Sequence, residues 1–398
     1  MPGALRPHVR GGRVMKKVLM GNHAATLGAA LARVQVVAAY PITPATQIVE
    51  LIAEMSAKGT FPGKFLRVES EHSAMAALLG AATAGARTFT ATSSQGLAYM
   101  HELLHWVSGA RLPVVMVDVN RALAAPWNLW TDQTDSLSQR DTGWLQFYCA
   151  TNQEVLDTVL MAYKVSENLL LPSMVMLDGF TLSHVYEPVD VPDQKAVDAF
   201  LPPFKPAAFL DVKNPGAFGS LETPKPYFRL RRRIAVDMDR AEALVEQVGA
   251  DFERSFGRGY GAVESYRSQD ADVSLVCSGA VGSTAKQAVD ELRAEGHAAG
   301  LLRFRLFRPF PAAALKRLTR PDMKLAVVDR NYSPGHQGIF CEEIKASLYA
   351  TERRPEVYGF VAGLGGGDIT VELLKEIWHE VKAGTADPVS PLWMEEAR

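Results

Sequence analysis

The segment Tyr40-Pro41-Ile42-Thr43-Pro44 holds the Thr43 hydroxyl in a loop with little conformational freedom. The apolar run Val34–Ala39 precedes this loop, and an amphipathic segment follows it. Each proline fixes its own φ and restricts the residue before it to extended geometry, so Thr43 has little conformational freedom. Ligands of open α/β sheets bind at the carboxyl ends of parallel strands, which makes Thr43 a candidate ligand contact. Helix capping is the alternative, because Thr is a good N-cap and Pro is favoured at the first helical position.

Two carboxylates occur in Glu69-Ser70-Glu71-His72, between a predicted strand over Phe65–Val68 and a predicted helix over Ser73–Ala84. Both carboxylates are therefore expected at a strand-to-helix junction and are candidates for chemistry. A purely structural role is the alternative, since a carboxylate near the positive N-terminus of a helix is stabilising without any ligand.

Arg121 follows the predicted strand Val114–Val119 and begins a long loop that contains two tryptophans and three aspartates. Loops of that length inside a compact domain usually have a function. The planar guanidinium matches a carboxylate ligand, so Arg121 is a candidate substrate contact. An internal pair between Arg121 and an aspartate of the same loop explains the residue equally well.

The segment His101-Glu102-Leu103-Leu104-His105 matches HExxH, in which two histidines on one helical face bind zinc and the glutamate activates water. A zinc hydrolase is therefore an alternative function. The match is short, the sequence offers no identifiable third ligand, and the segment reads as an ordinary crossover helix. We expect it to be incidental.

The composition is that of an ordinary globular protein, with 398 residues, 47% hydrophobic and 22% charged residues and a net charge of −2. The charge balance gives no reason to expect nucleic acid, and no apolar stretch is long enough to span a bilayer. Residues 1–17 show no hydrophobic signal core, and the three cysteines lie far apart in the sequence. We therefore expect a cytoplasmic protein without disulfides. The basic run Arg229–Arg233 is expected to be a solvated strand end.

Short apolar runs alternate with helical segments up to about residue 185, which predicts an α/β domain with a parallel sheet over residues 15–185. Residues 186–233 are rich in proline and lack periodicity, which predicts an extended linker. Alternation resumes in a second, smaller α/β domain over residues 234–398. The glycine run at 363–367 is expected to be a turn rather than a phosphate site. The other predicted strands are Thr88–Thr92, Leu145–Ala150, Ser173–Leu177, Val273–Cys277, Ala299–Arg305 and Leu325–Asp329.

Five motifs in the first domain, taken in order, resemble the α subunit of the 2-oxoacid:ferredoxin oxidoreductases, most closely the pyruvate enzymes. The later segments Arg308-Pro309-Phe310-Pro311 and Asp329-Arg330-Asn331 also fit that family. Each motif alone is weak, but their order and spacing on one α/β domain are specific. The five motifs are Tyr40-Pro41-Ile42-Thr43-Pro44, Ser70-Glu71-His72-Ser73-Ala74, Thr90-Ala91-Thr92-Ser93-Ser94-Gln95-Gly96, Asn120-Arg121-Ala122 and Asp178-Gly179-Phe180.

The resemblance implies a thiamine-diphosphate-type pyrimidine-binding domain followed by a smaller transketolase C-terminal-like α/β domain. It also implies oxidative decarboxylation of pyruvate, or a related 2-oxoacid, to acyl-CoA and CO₂ with ferredoxin as the electron acceptor. By the same resemblance Glu71 is the catalytic carboxylate that binds the cofactor's aminopyrimidine ring, and Gln95 also contacts the cofactor. Thr43 and Arg121 would bind the substrate, and Glu69 is the rival to Glu71.

The family's diphosphate-binding motif and its cluster cysteines are absent from this sequence. The resemblance therefore implies that thiamine diphosphate is shared with a partner chain, and that Mg²⁺ and iron–sulfur clusters are held by partners. Separate β, γ and δ subunits, ferredoxin and coenzyme A are the expected partners, and we expect no metal ligand in this chain. A non-catalytic assembly subunit of the same fold remains an alternative.

Overall fold

A seven-stranded sheet forms the first half of the protein in the computed structural model, which describes residues 15–395. All neighbouring strands of this sheet are parallel except the β12–β6 pair at one edge. The parallel sheet expected from the alternation of strands and helices is therefore confirmed. Its spatial order is β12 (Leu306–Arg308), β6 (Leu145–Tyr148), β7 (Ser173–Asp178), β5 (Val115–Asn120), β4 (Thr88–Thr92), β2 (Val36–Ala39) and β3 (Lys64–Arg67).

Helices cover both faces of this sheet, so its inner strands β4, β5, β6 and β7 are buried on both sides, whereas the edge strand β3 is mostly exposed. The central helix α7 is buried along most of its length because it lies between the sheet and two further helices, α1 and α9 (Pro224–Phe256). The helices of this half are α1 (Gly21–Leu31), α2 (Thr46–Ala57), α3 (Glu71–Thr83), α4 (Ser94–Tyr99), α5 (His101–Gly109), α6 (Thr134–Leu137) and α7 (Asn152–Leu169).

A second, six-stranded sheet follows, parallel except for its edge strand β9, and it is flanked by helices α10 to α13. One buried cluster contains Tyr148 of the first sheet together with Phe304 and Phe340 of the second half, so the halves share a core. The strands are β15 (Leu392–Met394), β14 (Glu356–Ala362), β13 (Lys324–Asp329), β10 (Val273–Ser278), β11 (Ala299–Phe304) and β9 (Val263–Tyr266). The helices are α10 (Val281–Ala294), α11 (Ala312–Leu318), α12 (Ile339–Leu348) and α13 (Val371–Ala383).

The segment between the halves differs from the predicted extended linker over residues 186–233. Strand β8 (Tyr186–Val191) pairs antiparallel with β1 (Met15–Met20), and helix α8 (Gln194–Phe200) follows. Helix α9 (Pro224–Phe256) begins ten residues before the predicted helix at 234. Its prolines do not prevent this early start, because they lie in the first turn, where proline is tolerated. Within the predicted linker, residues 192–193 and 201–223 lack regular structure apart from a single bridge.

Helix α9 packs on the first half of the protein through one apolar stripe. Ile234, Ala241 and Phe252 on this stripe belong to the buried cluster around α7. The predicted start of the second domain at residue 234 thus falls inside a helix that covers the first. The basic run Arg229–Arg233 is exposed on α9, so its solvation was predicted correctly and its assignment to a strand was wrong.

A buried ion pair network ties the two halves together. Glu154 on α7 lies between Arg303 and Arg305, with an Arg303 Nη2 to Glu154 Oε1 distance of 3.2 Å. Burial opposes ionisation of Glu154, but the charges and hydrogen bonds of the two arginines prevail and lower its pKa to about 2. The carboxylate is therefore ionised at neutral pH.

Glu154→Gln is expected to lower the free energy of unfolding by about 3–5 kcal/mol, because it leaves buried guanidinium groups without their carboxylate. A carboxylate with a depressed pKa stabilises the fold above its ordinary pKa, so this contribution should be lost as pH falls from about 4.5 to about 2. Denaturant unfolding of both proteins at pH 7 and in acid measures the difference. Glu264→Gln, which removes a more exposed partner of Arg303, is the matched control; an equal loss in both variants would contradict the prediction.

Across residues 15–395, no helix combines the length and the apolar character needed to cross a membrane. The expectation that the N-terminus lacks a hydrophobic signal core concerns mostly residues 1–14, which lie outside the described residues.

Candidate active site

The four residues expected to bind ligands follow four strands that are neighbours in the first sheet. The spatial order there is β5, β4, β2 and β3. Arg121 follows β5, Gln95 lies just beyond β4, Thr43 follows β2, and Glu71 begins the helix after β3. Because the carboxyl ends of parallel strands meet at one edge, the fold brings all four segments to the same edge of the sheet.

Glu71 is the first residue of α3 and only 9% exposed. Ser70 caps the helix, since its Oγ accepts a hydrogen bond from the Ser73 backbone N–H at 3.1 Å. Glu69 is exposed, and its carboxylate accepts a hydrogen bond from Ser73 Oγ at 2.5 Å. Burial thus separates the two carboxylates and favours Glu71 for contact with a bound ligand. Glu71 also lies in the first turn of α3, where a carboxylate stabilises the positive helix N-terminus without any ligand, so the purely structural role remains compatible with its position.

Gly96 allows the Glu71 carboxylate to lie against the start of α4. A Cβ atom at Gly96 would be 2.7 Å from Glu71 Oε1 and 2.5 Å from Thr92 Oγ1, so any side chain would collide there. The motif Ser93-Ser94-Gln95-Gly96 therefore has a steric reason for its glycine. It places Glu71 directly beside the turn that presents Gln95.

Arg121 is 7% exposed and its guanidinium is held by two other segments of the site. Nη1 donates to the Thr43 carbonyl oxygen at 2.7 Å, and Nη2 donates to Gln95 Oε1 at 2.6 Å. The indole of Trp127 lies 5.6 Å from the guanidinium carbon. Within residues 15–395 the guanidinium forms no salt bridge with an aspartate of its loop, and only the backbone N–H of Arg121 binds Asp135. The alternative of an internal pair through the Arg121 side chain is therefore not seen. Burial lowers the Arg121 pKa, although the charges of Asp135, Asp118 and Glu71 oppose this effect.

Thr43 does not cap a helix. Helix α2 begins at Thr46, its N-cap is Ala45, and no side chain caps it. The capping alternative is therefore wrong, and the reason is that the turn at 43–45 intervenes before the helix. The Thr43 side chain is exposed, while its carbonyl is fixed by Arg121.

Several buried polar atoms at this edge lack hydrogen-bond partners within the described part of the chain. They include Gln95 Nε2, Arg121 Nε, Thr92 Oγ1 and Ser93 Oγ. Buried polar groups are normally hydrogen-bonded, so such a group of atoms in one place indicates a site for a polar ligand or water. The residues present thus fit a polar heterocycle next to a small anion.

Asp135 also lies at this edge of the sheet, and its contacts with the other site residues were not predicted from the sequence. It lies on the short helix α6 and is 1% exposed. Its Oδ2 accepts the backbone N–H groups of Ser94 at 3.0 Å and Arg121 at 2.9 Å. Its Oδ1 accepts the Asn120 side-chain amide and the Ser136 N–H, both at 2.7 Å. The only sequence signal was its place in a long loop that follows a strand.

The HExxH segment does not form a metal site of the usual kind. His101 and His105 do lie close, with ring centroids 5.0 Å apart. Glu102 is directed elsewhere, accepting a hydrogen bond from Trp106 Nε1 at 2.5 Å and lying 3.3 Å from His72 Nε2. In the part of the chain that the structure describes, no third His, Cys, Asp or Glu joins the two histidines in a metal-binding group.

His101→Ala is expected to leave the enzymatic activity of the assembled protein within about twofold, because surface positions away from a site have small effects. Activity and metal content of the purified variant, compared with the unchanged protein, measure this. Stoichiometric zinc that is lost in the variant would contradict the prediction and support a zinc hydrolase.

The glycine run near the C-terminus packs against the loop that follows Arg121. Gly366 has φ +87°, and a Cβ atom there would lie 2.2 Å from Trp130 Cβ. Asn128 Nδ2 donates to the Gly365 carbonyl at 2.7 Å. The glycines therefore allow close contact between the two halves.

The sequence matches two models of one protein family. A model described as pyruvate flavodoxin/ferredoxin oxidoreductase, thiamine diphosphate-binding, matches residues 27–250. A model described as pyruvate:ferredoxin oxidoreductase core domain II matches residues 271–374. Together they cover most of both halves of the protein.

Curated relatives match nearly end to end. The ketoisovalerate oxidoreductase subunit VorA of Pyrococcus horikoshii is 51% identical over 92% of this chain and 94% of its own length. The pyruvate synthase subunit PorA of Methanothermobacter thermautotrophicus is 48% identical over 91% of this chain and 94% of its own length. Both relatives are named as subunits.

Solved structures share the fold at lower identity. A 2-oxoglutarate:ferredoxin oxidoreductase from Magnetococcus marinus, solved with 2-oxoglutarate, coenzyme A and succinyl-CoA, matches with a TM-score of 0.71 and 21% identity. The match covers 93% of this chain and 65% of that one, so this chain spans about two thirds of that protein. A split-gene transketolase matches with a TM-score of 0.54. The family models and the VorA and PorA relatives, taken with this fold, show that the chain belongs to the pyruvate ferredoxin/flavodoxin oxidoreductase family.

Proposed function

We propose that this chain is the α subunit of a thiamine diphosphate-dependent oxidoreductase that converts a 2-oxoacid, coenzyme A and oxidised ferredoxin to acyl-CoA, CO₂ and reduced ferredoxin. One observation carries the proposal: a buried carboxylate, Glu71, lies against Gly96 beside an arginine and a glutamine, in a chain of this family. Pyruvate and ketoisovalerate are the substrates that the names of the relatives suggest.

The residues at this edge suit the pyrimidine half of the cofactor. Thiamine diphosphate, when bound, supplies the carbon nucleophile and the electron sink that decarboxylation of a 2-oxoacid requires. Glu71 would hold a proton at the aminopyrimidine ring nitrogen, and its burial makes that hydrogen bond strong. Gln95 Nε2, which is buried without a partner among the described residues, would donate to the same ring system.

Arg121 and Thr43 would bind the substrate. Each terminal nitrogen of Arg121 uses one hydrogen for the bonds to Thr43 and Gln95, and Nε uses none within the described residues. Donors therefore remain for a carboxylate, and the two existing bonds fix the plane of the guanidinium before substrate binds. The exposed Thr43 hydroxyl would add a neutral hydrogen bond to the carbonyl or carboxylate.

The remaining parts of the enzyme would come from other chains. The three cysteines, Cys149, Cys277 and Cys341, are all buried and free, and they lie in different parts of the fold. A cluster held by this chain alone is thus not supported, and we assign the clusters, Mg²⁺ and the diphosphate contacts to β, γ and δ subunits. Buried free thiols suit a reducing cytoplasm, where we place the complex.

The purified chain alone is expected to have no measurable turnover, because half of the cofactor site and the electron acceptors are missing. The assembled complex is expected to release CO₂ from pyruvate or ketoisovalerate, dependent on coenzyme A and with reduction of ferredoxin. Assays of both preparations with both 2-oxoacids measure this. Full turnover by the isolated chain would overturn the division of the site between chains. A correctly assembled complex that is inactive towards 2-oxoacids would overturn the proposed function.

A further inference from the structure

The carboxylate of Asp135 connects the two turns that present Gln95 and Arg121. These turns follow neighbouring strands, β4 and β5, and Asp135 Oδ2 accepts one backbone N–H from each. The other oxygen, Oδ1, is also satisfied by two donors, so the side chain has little freedom to move. A single buried oxygen thus sets the spacing of two loops that would bind ligands.

The turn before Gln95 depends on this contact. Ser94 has φ +48°, a left-handed conformation that costs free energy for a residue with a side chain. Its backbone N–H is held by Asp135 at 3.0 Å, and its Oγ donates to the Ala122 carbonyl at 2.7 Å. Ala122 directly follows Arg121. The strained residue is therefore held on one side by Asp135 and on the other by the residue that follows Arg121.

Position 135 requires a side chain with two acceptor oxygens. Four N–H groups point at its two oxygens, and the amide of asparagine could accept with only one atom while its NH₂ group would face donors. The nearby carboxyl group of Asp118 receives a single hydrogen bond, from Asn120 at 3.0 Å. Burial raises the pKa of both carboxyl groups: that of Asp135 to about 7, against the four N–H donors that stabilise its charge, and that of Asp118 well above its ordinary value, with the charge of Asp135 adding to the effect. Asp118 therefore takes the first proton of the pair.

We propose that Asp135 is a positioning residue, which holds Gln95 and Arg121 in register by binding the backbone N–H groups of Ser94 and Arg121. The inference rests on the proposed function, because it assumes that these two side chains bind cofactor and substrate. Asp135 would thus affect substrate affinity through the position of Arg121, without contacting the substrate itself.

The test compares Asp135→Asn with Asp329→Asn in the assembled complex. Asp329 is a matched control: it is equally buried, and it accepts the Asn331 amide and the Phe340 N–H, both at 2.9 Å, at the start of α12 in the other half. Asp135→Asn is expected to raise the KM for the 2-oxoacid roughly 10- to 100-fold, the usual effect of a small misplacement, and to change kcat less. Asp329→Asn is expected to lower thermal stability and leave KM unchanged. Asp135→Glu, which keeps both acceptor oxygens, should show an intermediate KM.

Amide hydrogen exchange gives a readout that needs no activity. The backbone amides of Ser94 and Arg121 should exchange faster in Asp135→Asn and at the normal rate in Asp329→Asn. Unchanged exchange at both amides, or an equal rise in KM in both variants, would overturn the proposal. If Asp135→Asn does not assemble, Asp135→Glu decides: a raised KM supports the role and a normal KM overturns it. A wild-type complex inactive towards 2-oxoacids would refute the proposed function, while exchange would still test the positioning role.

Discussion

Glu71→Gln is expected to lower turnover of the assembled complex by roughly a factor of 10² to 10⁴, the usual effect of removing a positioned proton-transfer group. Glutamine keeps the size and the buried position of the side chain next to Gly96, so the fold should survive. It cannot take up or release a proton at neutral pH. The measurement is steady-state turnover per assembled complex, with thiamine diphosphate content determined on the same sample.

Glu69→Gln is the matched control for this experiment. Glu69 is the same residue type two positions earlier, but it is exposed and bound to Ser73. Its removal should leave turnover within about twofold, as expected of a surface substitution. The reverse result, a normal rate in Glu71→Gln and a low rate in Glu69→Gln, would transfer the catalytic role to Glu69.

Arg121→Ala is expected to raise the KM for pyruvate or another accepted 2-oxoacid by a factor of at least roughly 30. A small 2-oxoacid offers its carboxylate as the strongest binding group, and losing a desolvated charge-assisted pair costs about 2–5 kcal/mol. The substitution also frees the Thr43 carbonyl and Gln95 from their donor, which adds to the loss. Steady-state kinetics against the 2-oxoacid measure the effect.

Arg121→Lys should restore part of the affinity, because an ammonium group keeps the charge but not the two parallel hydrogen bonds of the guanidinium. Thiamine diphosphate affinity, measured separately, should change little in either variant. An unchanged dependence of rate on 2-oxoacid concentration in Arg121→Ala would assign substrate recognition to another residue.

The local patterns that specify strands and helices were predictable from the sequence. Strand β4 (Thr88–Thr92) has the predicted bounds, and β5 begins one residue after its prediction. The reason is that strands and helices each have a characteristic spacing of apolar residues, which is visible within a short stretch of sequence. Helix α9 was missed in part because prolines at its first turn resemble linker composition. A proline at the start of a helix and a proline in a loop give the same local signal.

Motifs identified single residues, but they did not identify the contacts of those residues. HExxH predicted two neighbouring histidines, which the structure has, while the direction of Glu102 towards Trp106 and His72 depends on packing. Similarly, Arg121 was singled out at the end of a strand. Its attachment to Thr43 and Gln95 could not be read from the sequence, because those residues are 78 and 26 positions away.

The sequence alone determined the fold class, the family and the strand ends at which Thr43, Glu71, Gln95 and Arg121 lie, since each depends on a local pattern or on motif order. The tertiary structure decided that Glu71 rather than Glu69 is buried, and that Asp135 joins the turns that carry Gln95 and Arg121. Asp135 receives donors from Ser94 and Arg121, 41 and 14 positions earlier in the chain. A hydrogen-bonded centre of this kind arises only when strands β4 and β5 pair and the loop folds back over their ends.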